Sequence, residues 1–373
     1  MNLPLTAAPL AGFSGSYAPE DVTFLLKRVR MRPTPIEEKE LRIQTGAAHY
    51  SEMISEERRP DARYLALFEE ACGPGVPRLA RDVRALTGQI LELVRAGRLN
   101  ARVTLCSLVR AGVPYGVLLR RDLERAGVDV AHFGVSIIRD RGLDQVAMAH
   151  VLAERPADGV IFVDGWTGKG AIATELHRSW RALTGQAPLL AVIADPCGRA
   201  DLCASREDWL IPSGILGGNV SGLISRSILR SDLIGEGEYH GCLLLDHLAE
   251  VDLSRVFVDR VDAVLRELVA GGVPDPDVSP EAADRFRVAA DATVGRVASR
   301  FGVSILNRIK PGIAEATRAV LRRRPDRVLV RTAVGDPDLS ALLHLCERDQ
   351  VPVLADPDLT GPYRALTVIR ETT

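Results

Sequence analysis

A glycine-rich turn follows a short apolar run in the segment Gly159-Val-Ile-Phe-Val-Asp-Gly-Trp-Thr-Gly-Lys-Gly170. The pattern predicts a buried strand that ends at Asp164 and a helix that begins near Gly170. Glycines let backbone N–H groups approach an anion, and a helix N-terminus favours negative charge. An ordinary strand–turn–helix corner is the alternative. The candidates for binding a phosphorylated ligand are Asp164, Gly165, Thr167, Gly168, Lys169 and Gly170.

Thiol chemistry is the competing possibility. Cys106 lies at the end of a predicted strand, and Cys197 follows the Asp195-Pro196 pair after another. A nucleophilic cysteine needs a lowered pKa and a base in contact, and the histidines available include His132, His150 and His177. The ordinary expectation for scattered cysteines is a set of buried, inert thiols.

Short apolar strands alternate with helical segments between residues 100 and 194, which predicts βαβ units and a parallel sheet. Ligands in such sheets bind beyond the carboxyl ends of the strands. Upstream, the sequence predicts helices around 19–27, over 61–72 and over 78–96. A compact α/β unit with a short strand at 303–306 is predicted after a Pro/Gly-rich linker. The expected domains are therefore a helical extension (1–100), an α/β domain (101–270), a linker (271–280) and a small α/β domain (281–373).

Charge is unevenly distributed along the chain. The 47 basic and 49 acidic residues give a net charge of −2, but residues 281–373 hold 15 basic and 12 acidic residues, a net charge of +3. RNA binding would therefore belong to the C-terminal unit. The chain has no apolar run of about 18 residues and no basic region before its apolar N-terminus. We expect a cytoplasmic protein without a membrane partner.

The turn after Asp164 resembles the phosphoribosyl-pyrophosphate loop of type I phosphoribosyltransferases. Asp164 matches the first acid of that loop and Thr167-Gly168 match its Thr-Gly turn, whereas Gly165 replaces the second acid. The resemblance implies a type I phosphoribosyltransferase-like fold, a phosphorylated ribose or nucleotide ligand, and Mg²⁺ brought with pyrophosphate. Asp164 would then have a catalytic role and contact the metal.

Two further segments extend this resemblance. Cys106-Ser-Leu-Val-Arg-Ala-Gly-Val-Pro114 resembles the family's pyrophosphate loop, which would place Arg110, Ala111 and Gly112 at the pyrophosphate. Arg139 and Arg141 lie where the family has its mobile catalytic loop, so they would either close over the pyrophosphate or form surface ion pairs. Catalysis would come from positioning and from a cationic cradle for the leaving group.

A Gly- and Ser-rich run at 211–226 is predicted to form a hood over the edge of the sheet. Its polar side chains would select the acceptor substrate, or they would be hydrogen-bonded within a packed loop. The residues concerned are Ser213, Asn219, Ser221 and Arg226.

The C-terminal unit resembles the Pelota/L7Ae-type RNA-binding fold over the segments 307–320, 328–330 and 342–352. In that fold a glycine-led helix N-terminus and adjacent basic residues contact RNA. Arg308, Lys310 and Gly312 match these positions. Docking of the unit against the first domain, or binding of a nucleotide, is the alternative.

Most of the chain resembles the two-domain proteins of bacterial tellurite-resistance gene clusters. The segments 15–26, 46–53 and 220–226 carry this resemblance. Their first domain is described both as phosphoribosyltransferase-like and as a StiP-type cysteine protease. The sequence favours a phosphoribosyltransferase-like enzyme of stress-response nucleoside or RNA metabolism. The alternatives are a cysteine peptidase that uses Cys106 or Cys197 and a non-catalytic RNA-binding stress protein.

Overall fold

The computed structural model describes residues 12–268, 279–332 and 335–371. The linker predicted at 271–280 lies outside these residues except for its last two positions, and the predicted domain boundaries stay predictions. None of the helices in these three ranges is long and apolar enough to cross a membrane.

A parallel six-stranded sheet with the strand order β1-β4-β3-β7-β8-β9 forms the centre of the first domain. Its strands are β1 (Thr23–Phe24), β3 (Arg102–Leu108), β4 (Asp129–Val135), β7 (Val160–Trp166), β8 (Leu190–Ala194) and β9 (Leu202–Ser205). Short pairs form between β2 (Lys27–Arg28) and β10 (Gly241–Cys242) and between β5 (Ile137–Ile138) and β6 (Gly142–Leu143).

Helices cover both faces of this sheet, and apolar side chains pack beneath them in two clusters. The helices of the first domain are α1 (Ile36–Gln44), α2 (Ala62–Arg95), α3 (Val113–Arg125), α4 (Gln145–Glu154), α5 (Ala171–Thr184) and α6 (Ser254–Glu267). The predicted alternation of strands and helices between residues 100 and 194 is confirmed.

Two predictions for the N-terminal region are wrong. The segment 19–27 contains strands instead of a helix, because its apolar side chains bury on opposite sides: Phe24 and Leu26 join one cluster and Leu25 the other. The helices predicted at 61–72 and 78–96 are one helix, α2, which continues through Pro74 and Pro77. Its buried stripe runs unbroken past both prolines.

The C-terminal domain contains a four-stranded sheet with the order β11-β14-β12-β13. Its strands are β11 (Ile309–Pro311), β12 (Pro325–Val330), β13 (Val353–Ala355) and β14 (Ala365–Ile369), and its helices are α7 (Pro280–Phe301), α8 (Ile313–Arg322), α9 (Ser340–Arg348) and α10 (Pro357–Thr360). The strand predicted at 303–306 begins later, at Ile309, because Ile305 and Leu306 are about half exposed and a 3-10 turn intervenes.

The two domains share a hydrophobic core. Ile313, Val328 and Leu342 of the C-terminal domain belong to the same buried cluster as Tyr64 and Val76 of α2. The domains therefore pack as one body in the described conformation.

Close packing at Gly112 positions α3 against the end of β7. A Cβ atom at this residue would lie 2.0 Å from the Val163 carbonyl oxygen. We expect Gly112→Ala to lower the free energy of unfolding by about 2 kcal/mol, since the helix must move to relieve the overlap. Chemical denaturation measures this change.

Gly88→Ala is the matched control, because Gly88 lies within α2 and a Cβ there would have no neighbour within 4 Å. It should raise the free energy of unfolding by about 0.5–1 kcal/mol through helix propensity. Equal losses in the two variants would contradict the packing argument.

Candidate functional site

The turn after β7 begins at Asp164, whose Oδ1 accepts a hydrogen bond from the Gly165 N–H at 2.8 Å. Burial raises the pKa of Asp164 to about 7, against the opposing effects of that hydrogen bond and of Arg318. Gly165 leaves no space for a side chain, since a Cβ atom would lie 2.6 Å from the Tyr115 ring. The residue that differs from the phosphoribosyltransferase loop is therefore required by packing.

Protein groups already contact the rest of this turn. The Thr167 hydroxyl donates to Asp195. The Lys169 ammonium donates to the Ile309 carbonyl at 3.2 Å, and the Tyr363 hydroxyl donates to the Gly168 carbonyl at 2.7 Å. The turn is thus attached to the C-terminal domain. Gly170 takes the left-handed conformation just before α5, which begins at Ala171, close to the predicted helix start.

A cavity of about 290 Å³ lies beside the turn, between the two domains. It brings together the predicted residues Ala111, Arg139, Asp164, Thr167, Gly168, Lys169 and Gly170 with Lys310 of the C-terminal domain. Tyr50, Trp166 and Arg318 also line it, and sequence reasoning missed them. Tyr50 and Trp166 could have been predicted as site residues, because both lie inside segments that carried the family resemblance.

Arg110 does not line this cavity. Its side chain is 3% exposed, lies 2.5 Å from Glu57 and donates to the Ile224 carbonyl at 2.8 Å. Burial would raise the pKa of Glu57, but Arg110 and Arg322 outweigh it and hold the pKa at about 2. The predicted pyrophosphate ligand therefore has a buried carboxylate partner, whereas Ala111 beside it reaches the cavity and Gly112 packs under Val163.

The loop between β5 and β6 separates its two arginines. Arg139 lies on the cavity wall, 5.2 Å from the centre of the Tyr50 ring and 3.1 Å from Asp140. Arg141 is half exposed and lies 3.7 Å from Glu52. Only Arg139 is placed to meet a ligand in the cavity.

Ser213, Asn219 and Ser221 of the hood are buried and Arg226 is half-buried, and all four have protein partners. The Ser213 hydroxyl lies 2.6 Å from the Tyr115 hydroxyl, and Ser221 donates to the Gly217 carbonyl at 3.1 Å. Asn219 accepts from the Gly217 N–H at 3.1 Å. Arg226 donates to the Tyr50 carbonyl at 2.7 Å, and it lines a second cavity between the domains.

All six cysteines are free and buried. Cys106 packs in the core between Phe133 and Phe162, and burial raises its pKa far above the ordinary value. Cys197 follows β8, with its Sγ 4.0 Å from Asp195 Oδ1, and burial, reinforced by Asp195, raises its pKa to about 12. In the described ranges no histidine hydrogen-bonds to either thiol.

The N-terminus of α8, where RNA was predicted to bind, is occupied by a carboxylate of the first domain. Both Asp208 oxygens accept from the Ile313 N–H at 3.1 Å, and one accepts from the Arg364 N–H at 2.8 Å. Arg308 is also engaged, with the Ile369 carbonyl and with Glu371. Gly312 takes the positive φ that this turn needs. Nothing in the sequence around Asp208 indicated this contact.

Across residues 12–268, 279–332 and 335–371, no group of three or more His, Cys, Asp or Glu side chains could hold a metal ion. The first cavity contains two carboxylates, Asp164 and Glu315, among several cations. Mg²⁺ at Asp164 stays a prediction.

Comparison with known proteins assigns the family. A family model described as tellurite-like stress resistance cysteine protease StiP matches residues 15–262, and a PELOTA RNA binding domain model matches residues 288–371. A relative described as cysteine protease StiP, from Acinetobacter baylyi (strain ATCC 33305 / BD413 / ADP1), is 44% identical over 375 residues. That match covers 96% of this chain and 95% of the relative. The chain belongs to the StiP family.

Membership of the StiP family makes the chain a member of an enzyme family linked to tellurite-like stress resistance, with a C-terminal domain of the Pelota type. The predicted fold class, a parallel-sheet α/β domain followed by a small Pelota-like α/β domain, is confirmed. The preference for a phosphoribosyltransferase is wrong, because both the family and the 44% identical relative carry the name of a cysteine protease. In the turn that suggested it, the Gly165 and Thr167 N–H groups and the Thr167 and Lys169 side chains contact protein.

Solved phosphoribosyltransferases resemble the chain only weakly. The hypoxanthine phosphoribosyltransferase of Trypanosoma cruzi is 13% identical with a TM-score of 0.27, over 35% of this chain and 76% of that one. The enzyme of Leishmania tarentolae gives the same identity and TM-score over 35% and 75%. A hypoxanthine-guanine phosphoribosyltransferase of Bacillus anthracis gives 13% and 0.25 over 40% and 82%. Likeness at this level carries no functional argument.

The Arg110–Glu57 pair can be tested through stability. Arg110→Met leaves the Glu57 carboxylate with Arg322, at 3.8 Å, as its one charged partner among the described residues. We expect a loss of about 3 kcal/mol in the free energy of unfolding, measured by denaturation at pH 7. Arg110→Met/Glu57→Gln is the control and should recover much of the loss, because no unpaired charge remains.

The same pair gives a pH dependence. Since the pKa of Glu57 falls from the ordinary 4.5 to about 2 on folding, its stabilisation is complete above pH 4.5 and is lost as the pH falls towards 2. The stability difference between wild type and Glu57→Gln should shrink over that interval. A constant difference would contradict the assignment.

Proposed function

We propose that the chain is a cysteine peptidase that acts in tellurite-like stress resistance. The observation that carries this proposal is its 44% identity, over 96% of its length, to a relative described as cysteine protease StiP. The family match over residues 15–262 supports it independently. The cysteine peptidase was the first alternative that the sequence left open.

Cys197 is the best candidate for the nucleophile. It follows the parallel strand β8 at the carboxyl edge of the sheet, where α/β domains place their sites. Arg199 nearby favours the thiolate, and a hydrogen bond with Thr167 acts in the same direction. Cys106 has neither, since burial in the apolar core is the one influence on its pKa.

The described conformation is a latent one for this chemistry. Cys197 is 1% exposed and packs against Ala290 and Val294 of α7 and against Tyr363. With a pKa of about 12 the thiol is protonated at neutral pH, and a thiol is a poor nucleophile. Because its cover belongs to the C-terminal domain, peptidase activity requires that domain to withdraw from the first.

Once exposed, the Cys197 thiolate would attack the carbonyl carbon of a peptide bond. The new C–S bond would replace the C–N bond as the amine leaves with a proton, and water would then hydrolyse the thioester and return the thiol. A base must come into contact during domain withdrawal, since the polar neighbours of Cys197 in the described residues are Asp195 and Thr167.

Hydrolysis of dye-labelled casein by the full chain tests this proposal. The variants are made on an Asp208→Asn background, which weakens the contact between the domains. Cys197→Ala should reduce hydrolysis by on the order of 10³-fold, as expected when a nucleophile is removed. Cys106→Ala is the control and should keep the activity. The proposal would be contradicted if the Asp208→Asn protein does not hydrolyse casein. It would also be contradicted if Cys197→Ala on that background keeps full activity.

A separate observation, the Pelota match over residues 288–371, supports a second function. We propose that the C-terminal domain binds RNA at the N-terminus of α8 after Asp208 has left it. A phosphate would then accept from the same backbone N–H groups, and Lys310 lies on the adjoining strand. In the described conformation the Asp208 carboxylate accepts from the Ile313 N–H, the group that we propose for the phosphate.

Removal of the Asp208 charge should therefore increase RNA affinity. We expect Asp208→Asn to bind a short structured RNA about tenfold more tightly than wild type, as measured by fluorescence anisotropy at one fixed salt concentration. Glu236→Gln makes the same change of charge at an exposed residue and should leave the affinity unchanged. Equal gains in the two variants would mean that net charge alone is responsible.

A further inference from the structure

A cavity of about 410 Å³ between the two domains is lined mainly by cations, and we call it the basic chamber. The first domain contributes Lys39, Arg139 and Arg226, and the C-terminal domain contributes Arg308, Lys310, Arg318, Arg322 and Arg323. Glu315 is the one carboxylate among its lining residues, all of which lie in the described part of the chain. Residues 164–170 do not line the chamber. The chamber adjoins the first cavity, with which it shares Arg139, Lys310 and Arg318 as lining residues.

Three of these cations have no carboxylate within ion-pair distance in the described ranges. Lys39 donates to the Ser55 hydroxyl at 2.6 Å and to the Arg322 carbonyl at 3.1 Å. Arg226 donates to backbone carbonyls and lies over the Tyr50 ring. The Lys310 side chain has no hydrogen-bond or ion-pair partner among the described residues, although it is largely buried.

The chamber is therefore electrostatically unsatisfied. Burial lowers the pKa of Lys39 to about 7, with repulsion from Arg226 and Arg323 adding to it. Burial and repulsion from Arg323 lower the pKa of Lys310 to about 8. Buried charges in proteins are normally paired, and an anion bound among these cations would favour their charged forms.

The use of lysine instead of arginine at this junction also favours an anionic ligand. The chain contains four lysines among its 47 basic residues, and three of them lie around this junction: Lys39 and Lys310 in the chamber and Lys169 in the adjoining cavity. Lysine provides a compact charge that binds phosphate oxygens from several directions. In an arginine-rich chain, this placement favours a small, densely charged ligand.

We propose that the basic chamber binds an oligophosphate, a ligand with two or more linked phosphate groups, between the two domains. Lys39, Arg226 and Lys310 would each gain an anionic partner, and a phosphate chain supplies several negative charges within a cavity of this size. An acidic peptide would bring one charge per residue and backbone groups that also need partners. Because the cations come from both domains, the ligand bridges them.

Isothermal titration calorimetry of the full chain with sodium tripolyphosphate tests this proposal. Wild type should bind it, and Lys310→Gln should weaken the affinity by about tenfold or more, as should Lys39→Gln. In the absence of ligand, the melting temperature of Lys310→Gln should equal or exceed that of wild type, because removal of the Lys310 charge relieves repulsion among the cations. That measurement separates a lost ligand contact from a failure to fold.

Lys27→Gln is the matched control, since Lys27 is the fourth lysine and already pairs with Glu238 at 2.5 Å. It should bind tripolyphosphate as wild type does. A parallel titration with a nucleoside triphosphate shows whether the phosphate chain of a nucleotide is accepted, and binding in either titration that depends on Lys310 supports the proposal. The proposal would be overturned if neither compound binds, if sulfate binds with equal affinity, or if Lys310→Gln binds with the affinity of wild type. It would also be overturned if RNA displaces tripolyphosphate from a site outside the basic chamber.

Discussion

The Asp208 carboxylate at the N-terminus of α8 adds a buried polar contact to the apolar core that the two domains share. It accepts from the Ile313 and Arg364 N–H groups, and the Arg364 side chain returns a hydrogen bond to the Asp208 carbonyl at 2.7 Å. The residue is 7% exposed, and burial raises its pKa to about 6 although these hydrogen bonds oppose the shift. A helix N-terminus that would otherwise meet an external anion thus meets one supplied by the same chain.

Two features of the molecule follow from the packing of the two domains. The C-terminal domain covers Cys197, so the thiol is buried and protonated. The same packing brings lysines and arginines of both domains around one cavity, where their charges are incompletely matched. Apolar contacts across the shared core favour the closed arrangement, whereas repulsion among the buried cations opposes it. An anion in the basic chamber would shift this balance towards closure.

Much of the fold could be predicted from local patterns. Alternating strands and helices between residues 100 and 194, and the compact C-terminal unit, follow from periodicity and turn residues. Residues 19–27 were mispredicted because one short apolar run buries on both sides of a strand, which periodicity alone does not distinguish from a helix. The gap between the helices predicted at 61–72 and 78–96 contains Pro74 and Pro77, and α2 continues through both.

The candidate site was harder to predict because its character depends on long-range contacts. The turn at 164–170 has the composition of an anion-binding loop, but Thr167 and Gly168 contact Asp195 and Tyr363. Arg110 was predicted to face a ligand and instead pairs with Glu57, more than 50 residues earlier in the chain. Sequence motifs specified the shape of these turns, and only the structure identifies the groups that cover them.

The most direct test of this account is the rate at which iodoacetamide alkylates Cys197 in the folded full chain, followed by peptide mass spectrometry. We expect Cys197 to be unreactive in wild type and to be alkylated at least about tenfold faster in Asp208→Asn, with Cys106 protected in both proteins. Equal rates at Cys197 in the two proteins, or rapid labelling in wild type, would contradict the claim that the Asp208 contact holds the C-terminal domain over this thiol.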